Sequence, residues 1–305
     1  MIDVKEFDNF KWVRAHQVSS DDRKILHRQY QIANEMINYA IDPYESARVE
    51  VDGDYLLMIF DIVTPTSAIA TTEPVGIMIE KTGAQFITFT RVETRYIETY
   101  INKISSQLST DEQPVQLADL LIDLLRVVSS RFQSVILEIN RRRAPIQRAL
   151  RETKQVQTKI DELMSLQTDL IYLLNSLHSD KELLVSLQGQ KLIPLTASQL
   201  ERLEDVQVEL QQAVDTGELS QQVTNQVEDS YAAIANNNLN WTMKLLTALT
   251  IILTIPTMVS GFYGENVKSL PMANFDSGWL ITIGVMLLLM IATTIIFWVS
   301  GFFKR

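Results

Sequence analysis

Asn236, Asn240, Met243, Thr247, Thr250, Thr254, Thr257, Gly261 and Gly264 follow one another at intervals of four, three, four, three, four, three, four and three. A 3.5-residue repeat holds its members on one face of a helix, so the spacing predicts a continuous stripe. The stripe offers hydroxyls, carboxamides and small residues, while the positions between are mostly Leu, Ile, Ala and Val. Two readings are open. In one, each Thr bonds back to the carbonyl four residues earlier and the small residues let helices pack closely. In the other, several copies meet around an axis and every Thr becomes a ring of hydroxyls along a water-filled path. A complete stripe ending in Gly264-Glu265-Asn266 favours the path. Met243 and Leu246 then form apolar constrictions able to gate by dewetting.

The helix that carries this stripe must cross a membrane. The runs 245–263 and 279–303 contain no charged residue, and each approaches or exceeds the ~20 residues needed to span a ~30 Å hydrocarbon layer. Trp279 and Trp298 stand near the ends of the second run, as interfacial anchors do. Lys244, Lys304 and Arg305 flank the pair of spans, whereas the intervening segment has only Lys268 beside Glu265 and Asp276. The excess of cations predicts cytoplasmic chain ends and an external loop.

Upstream, residues 1 to about 105 read as mixed α/β. Asp52-Gly53 between two β-rich runs signals a hairpin, and Lys81-Thr82-Gly83 signals another. Ser19-Ser20-Asp21-Asp22 predicts a helix start, and a further helix is expected from about Glu93 to Leu108. From Pro114 onward, Leu117, Leu120, Leu121, Leu124, Leu125 and Val128 recur at helical spacing, as do Leu163, Leu166, Leu170, Leu173, Leu174 and Leu177. Pro145 predicts a kink or a boundary in the first of these helices. Thr196 with Gln199 resembles a capping box that opens a helix running into the first span. Gly217 is a weak point in that helix, at about 1 kcal/mol relative to Ala. A helix so long needs partners along its length, which predicts an oligomer.

Composition narrows the function classes. The 305 residues carry 27 Lys+Arg against 37 Asp+Glu, a net charge of −10, which does not suit a nucleic-acid binder. The absence of Cys excludes disulfides, thiolate metal sites and cysteine nucleophiles. His16, His27 and His178 are scattered without ligand-like pairing, and neither a glycine-rich phosphate loop nor a nucleophile elbow occurs, so an enzyme is not expected. The start of the chain lacks the pattern of a secretory signal.

These residues resemble the CorA family of divalent-cation channels across the whole layout. The resemblance is most specific in Asn240-x-x-Met243-Lys244-x-Leu246-Thr247, in Pro256-Thr257 and in Gly261-Phe262-Tyr263-Gly264-Glu265-Asn266. It implies a funnel-shaped homopentamer that passes Mg²⁺ inward, with Co²⁺ and Ni²⁺ as further candidates, and with the first span lining the pore. It implies an entrance filter at Gly264 and Asn266, and an inner mouth at Asn240, Met243, Leu246 and Thr247. It also implies regulation by intracellular Mg²⁺ bound between cytoplasmic domains. The family signature is Gly-Met-Asn, and Glu265 replaces its middle residue with a carboxylate. Such a group can raise the local cation concentration, bind an ion, or point away from the path.

The expected organisation is a cytoplasmic α/β domain over 1–110 and long cytoplasmic helices over 111–194. A stalk helix over 195–244 leads to a pore-lining span over 245–263, an external loop with the filter over 264–278, a second span over 279–303 and a cytoplasmic tail at 304–305. The expected location is the plasma membrane. A Zn²⁺ transporter of the same fold, coupled to protons through Glu265, is one alternative. A membrane-anchored scaffold without conduction is another.

Overall fold

The computed structural model describes residues 1–64, 71–109, 114–149, 156–189, 194–265, 270–271 and 276–303. These fall into two compact units, Met1–Glu228 and Asp229–Arg305.

The described residues of the first unit contain six strands: β1 (Ile2–Glu6), β2 (Lys11–His16), β3 (Arg48–Asp52), β4 (Tyr55–Val63), β5 (Thr72–Glu80) and β6 (Gln85–Thr90). They form one sheet in the order β1-β2-β6-β5-β4-β3, antiparallel except for the parallel pair β2 and β6. Both glycine-marked hairpins form. Gly53 (φ +54°) turns β3 into β4 and Gly83 (φ +75°) turns β5 into β6, a region of φ that glycine enters without penalty. β1 and β2 escape prediction, because IDVKE alternates weakly and forms the outer strand, with no residue fully buried.

Helices α1 (Ser20–Gln29) and α2 (Asn34–Ile41) cover one face of the sheet. Leu26, Met36, Ile37 and Ala40 pack there on Val13, Ala15, Leu57, Ile59, Met78, Ile87 and Phe89. The start signal at Ser19 is a true capping box. The Asp22 amide donates to Ser19 Oγ at 3.2 Å while the Ser19 amide donates to Asp22 Oδ2 at 2.9 Å. α3 (Tyr96–Leu108), α4 (Leu117–Ala149) and α5 (Val156–Gly189) follow, and the latter two pack on β4. With helices on both sides, β4 is an unbroken buried run interrupted only by Asp61, rather than an alternating strand.

Gly76 on β5 is where α2 comes closest. A Cβ there would stand 2.7 Å from the Ala40 carbonyl oxygen and 2.8 Å from its Cα. Backbone cannot swing aside as a side-chain end can. Gly76→Ala is therefore expected to destabilise the unit by about 1–3 kcal/mol, read as a lower melting midpoint of the purified protein.

α6 (Ala197–Tyr263) is one helix of 67 residues. Its start matches the expected capping box: the Gln199 amide donates to Thr196 Oγ1 at 3.3 Å and the Thr196 amide to Gln199 Oε1 at 3.0 Å. Within the first unit, Arg202 bridges Asp119 and Asp123 of α4, the latter at 2.6 Å. Further along, Arg143 of α4 donates to the Ser220 carbonyl at 2.9 Å. The helix does not break at Gly217. A Cβ there would lie 2.8 Å from Leu174 Cδ2, so the residue lets α5 approach α6 closely. Likewise Pro145 lies inside α4, which continues past it. The three histidines serve local structure: His27 Nδ1 meets the Ile32 carbonyl at 2.8 Å, His178 Nδ1 the Leu174 carbonyl at 2.7 Å, and His16 Nδ1 the Thr90 hydroxyl at 3.2 Å.

Candidate ion pathway

The second unit consists of α6 from Asp229 onward and α7 (Gly278–Val299), a 22-residue helix of mostly apolar residues. At 1.5 Å per residue α7 is about 33 Å long, enough to cross a hydrocarbon layer. Both helices are long and apolar enough to span, and almost nothing in them is buried within the single chain. Large side chains such as Leu249, Leu253, Leu287 and Ile291 are more than two-fifths exposed, which in water would be untenable and in lipid is expected.

The residues that are covered lie on one face. In α6 these are Tyr231, Ala235, Asn238, Trp241, Ala248, Ile252, Ile255, Pro256, Val259 and Tyr263, and in α7 Gly278, Thr282, Met286, Met290, Thr293, Thr294 and Phe297. Steps of three and four place the half-covered residues of each helix on one face. Ala248 is almost fully buried.

All members of the stripe lie elsewhere. Asn236, Asn240, Met243, Thr247, Thr250, Thr254, Thr257, Gly261 and Gly264 are exposed, as is Leu246. At 100° per residue the stripe is centred roughly opposite Ala248 and Ile252. The polar face of α6 is therefore exposed in the single chain.

The hydroxyls of that face have definite partners. Thr247, Thr250 and Thr254 donate to the carbonyls of Met243, Leu246 and Thr250, each at 2.8 Å, and Thr257 donates to Leu253 at 3.1 Å. This is the geometry of the packing interpretation, and it is also compatible with a path, because each hydroxyl oxygen keeps lone pairs that can accept from the water shell of a cation. Thr282 and Thr294 of α7 bond back in the same way but on the half-covered face. What distinguishes the stripe is its placement, not the bond. Pro256 has no N–H to offer the Ile252 carbonyl, so the ladder of α6 is interrupted on its half-covered side.

α6 ends at Tyr263. The Gly264 amide reaches the carbonyls of Ser260 at 2.9 Å and Gly261 at 3.1 Å, and the Glu265 amide reaches Phe262 at 3.4 Å. A Cβ on Gly264 would be 3.1 Å from the Ser260 oxygen, so a larger residue would crowd this last turn. Glu265 is exposed just beyond it. Asn266 and Lys268 lie outside the described residues. Among the described residues no cluster of three or more His, Asp or Glu could hold a metal ion.

The family comes from comparing the whole chain with known proteins. The profile of a family described as CorA-like Mg2+ transporter protein matches residues 7–305. The cobalt/magnesium transport protein CorA of Methanocaldococcus jannaschii is 22% identical over 307 residues, covering 98% of this chain and 94% of that one. The complete structure of the CorA magnesium transporter from the same organism superimposes with a TM-score of 0.85 at 23% identity, covering 98% and 94% of the two chains. The structure of the full-length CmaX protein gives a TM-score of 0.72 at 14% identity over 97% of this chain and 89% of the other. These likenesses bear on the fold, whereas the profile spans nearly the whole sequence, and the chain belongs to the CorA-like Mg²⁺ transporter family of membrane proteins.

Proposed function

We propose that copies of this chain assemble into a ring, five-fold as the resemblance implies, whose central path is lined by the stripe of α6 and conducts Mg²⁺ inward. The observation that carries this reading is the opposition of two faces of α6: its half-covered residues lie on one side, and the Thr and Gly stripe is exposed on the other. Lipid surrounds such an assembly, and both chain ends lie in the cytoplasm of a plasma-membrane protein. The M. jannaschii relative is named for cobalt and magnesium, which places Co²⁺ beside Mg²⁺ among the ions to test.

In this arrangement Gly264, Glu265 and Asn266 form the outer entrance. Mg²⁺ sheds its water reluctantly, so a carboxamide and backbone carbonyls that touch its hydration shell can hold it without stripping it. Thr257, Thr254, Thr250 and Thr247 supply successive rings of acceptors below. Leu246 and Met243, with Asn240, form the inner constriction, where apolar rings dewet and close. The proposed division of the chain is a cytoplasmic α/β domain over 1–110, cytoplasmic helices over 111–194, a stalk over 195–244, the pore span over 245–263, an external loop over 264–278, a second span over 279–303 and a tail at 304–305. Mg²⁺ bound among cytoplasmic domains is the proposed regulator.

Flux into liposomes containing the purified full chain tests the reading with Mg²⁺, Co²⁺, Ni²⁺ and Zn²⁺ offered singly and in competition. Mg²⁺ entry that competes with Co²⁺ is the expected result. Zn²⁺ entry untouched by excess Mg²⁺ would transfer the assignment to Zn²⁺, and absence of any divalent flux would leave a scaffold.

A further inference from the structure

Asp180, on α5, is 5% exposed and faces the sheet. Its Oδ1 accepts the amide of Asp61 on β4 at 2.9 Å. That amide lies past the last partner of β3, since the ladder stops at Arg48 opposite Ile59. One carboxyl oxygen thus closes an open stretch of strand edge. The other oxygen, Oδ2, has no hydrogen-bond partner among the described residues. Beside it is a cavity of about 10 Å³, lined by Phe60, Leu125, Val128, Ser129, Leu183 and Leu184, a space for one water at most.

The surroundings select what this oxygen can carry. A hard cation takes six or more oxygen ligands, and the cavity offers one side-chain hydroxyl, Ser129, which already donates to the Leu125 carbonyl at 3.0 Å. An anionic oxygen against leucines would carry a large desolvation cost, and a neutral acid carries far less. The charges in reach deepen that cost. Asp61 on β4 repels Asp180, and Glu73 on β5 acts in the same sense on Asp61, although Arg91 holds Glu73 at 2.7 Å. From α4 and α6 the cavity receives only Leu125, Val128, Ser129 and Leu210. Burial, then Asp61, pushes the Asp180 carboxyl well above the usual carboxylate range, and burial raises Asp61 as well, against a hydrogen bond from Ser176.

We propose that Asp180 is held in the fold as a neutral acid, and that loss of its proton on alkalinisation loosens α5 from the open edge of β4, giving the first unit a built-in response to pH. The sign follows from the raised folded-state value. Its contribution to stability is complete below the ordinary carboxylate range and is lost as pH rises through the folded-state value.

Difference infrared spectroscopy of the full chain during a rise in pH is expected to show loss of a protonated-carboxyl band, centred above the ordinary carboxylate range and missing in Asp180→Asn. Hydrogen exchange in the β4 and α5 segments, compared with Asp180→Asn at each pH, should show an opening equilibrium that grows about tenfold per pH unit until the folded-state value is passed. Asp61→Asn removes the nearest charge and should move the infrared midpoint down; it decides the matter even if the Asp180 variant fails to fold. A band that titrates in the ordinary range, identical exchange profiles in wild type and Asp180→Asn, or an unmoved midpoint in Asp61→Asn would each overturn the proposal.

Discussion

Thr254→Leu is expected to reduce divalent flux by at least an order of magnitude while the protein still folds, inserts and assembles. Thr254 lies at mid-stripe, exposed, with its hydroxyl donated to the Thr250 carbonyl at 2.8 Å. The Leu variant loses one acceptor for a hydrated ion and adds a branched apolar group, and a ring repeats the change in every copy. At about 1 kcal/mol per lost hydrogen bond, two such losses in the ring already exceed the ~1.4 kcal/mol that corresponds to tenfold in rate. Helix stability should change little, since Leu is a better helix former than Thr. Val259→Leu, on the half-covered face of α6, is the matched control, and a small effect on flux is expected there. Liposome flux with size-exclusion profiles of both variants distinguishes the faces. Full conduction by Thr254→Leu together with failure of Val259→Leu would place the path on the other side of α6.

Glu265→Gln is expected to weaken apparent Mg²⁺ affinity about tenfold at low ionic strength, with the difference shrinking as salt is added. The C-terminal end of a helix carries a partial negative charge from its unpaired carbonyls, which favours a cation. α6 has no basic residue in its last turn, and Glu265 adds a full negative charge immediately beyond it. The end of the helix and the side chain thus both attract cations, and in the proposed ring several copies would add their fields at one mouth. Gln keeps the size and removes the charge. Flux measured against Mg²⁺ concentration at two ionic strengths separates attraction from shape. Curves that coincide for Gln and Glu at low salt would put Glu265 away from the ion path.

Much of this was legible in the sequence because it is carried by period. The stripe, the leucine faces of α4 and α5, and the two uncharged runs are repeats of one local rule, and local rules survive into the fold. Turn chemistry was equally local: Gly53 and Gly83 adopt the positive φ that a tight hairpin needs, and the Ser19 and Thr196 caps close as their side chains dictate. What failed to show was set by distant partners. Gly217 looked like a defect until Leu174 came against it, and Gly76 gave no sign of Ala40. The strands β1 and β2 are held by pairing with each other and with β6, more than by their own pattern. Asp61 and Asp180 stand 119 positions apart and look like two ordinary surface acids until the strand edge brings them together. Asn266 belongs to the sequence reading of the filter and lies outside the described residues.

The back-bonding of the stripe has one more consequence. Thr247, Thr250, Thr254 and Thr257 each commit their single hydrogen to a carbonyl of their own helix. An anion in transit must be met by donors, and a wall whose hydroxyl hydrogens are already engaged presents none from these residues. Chloride and phosphate would find four successive levels with nothing to replace the water they give up. Along the proposed path, the same four bonds would therefore favour cations over anions.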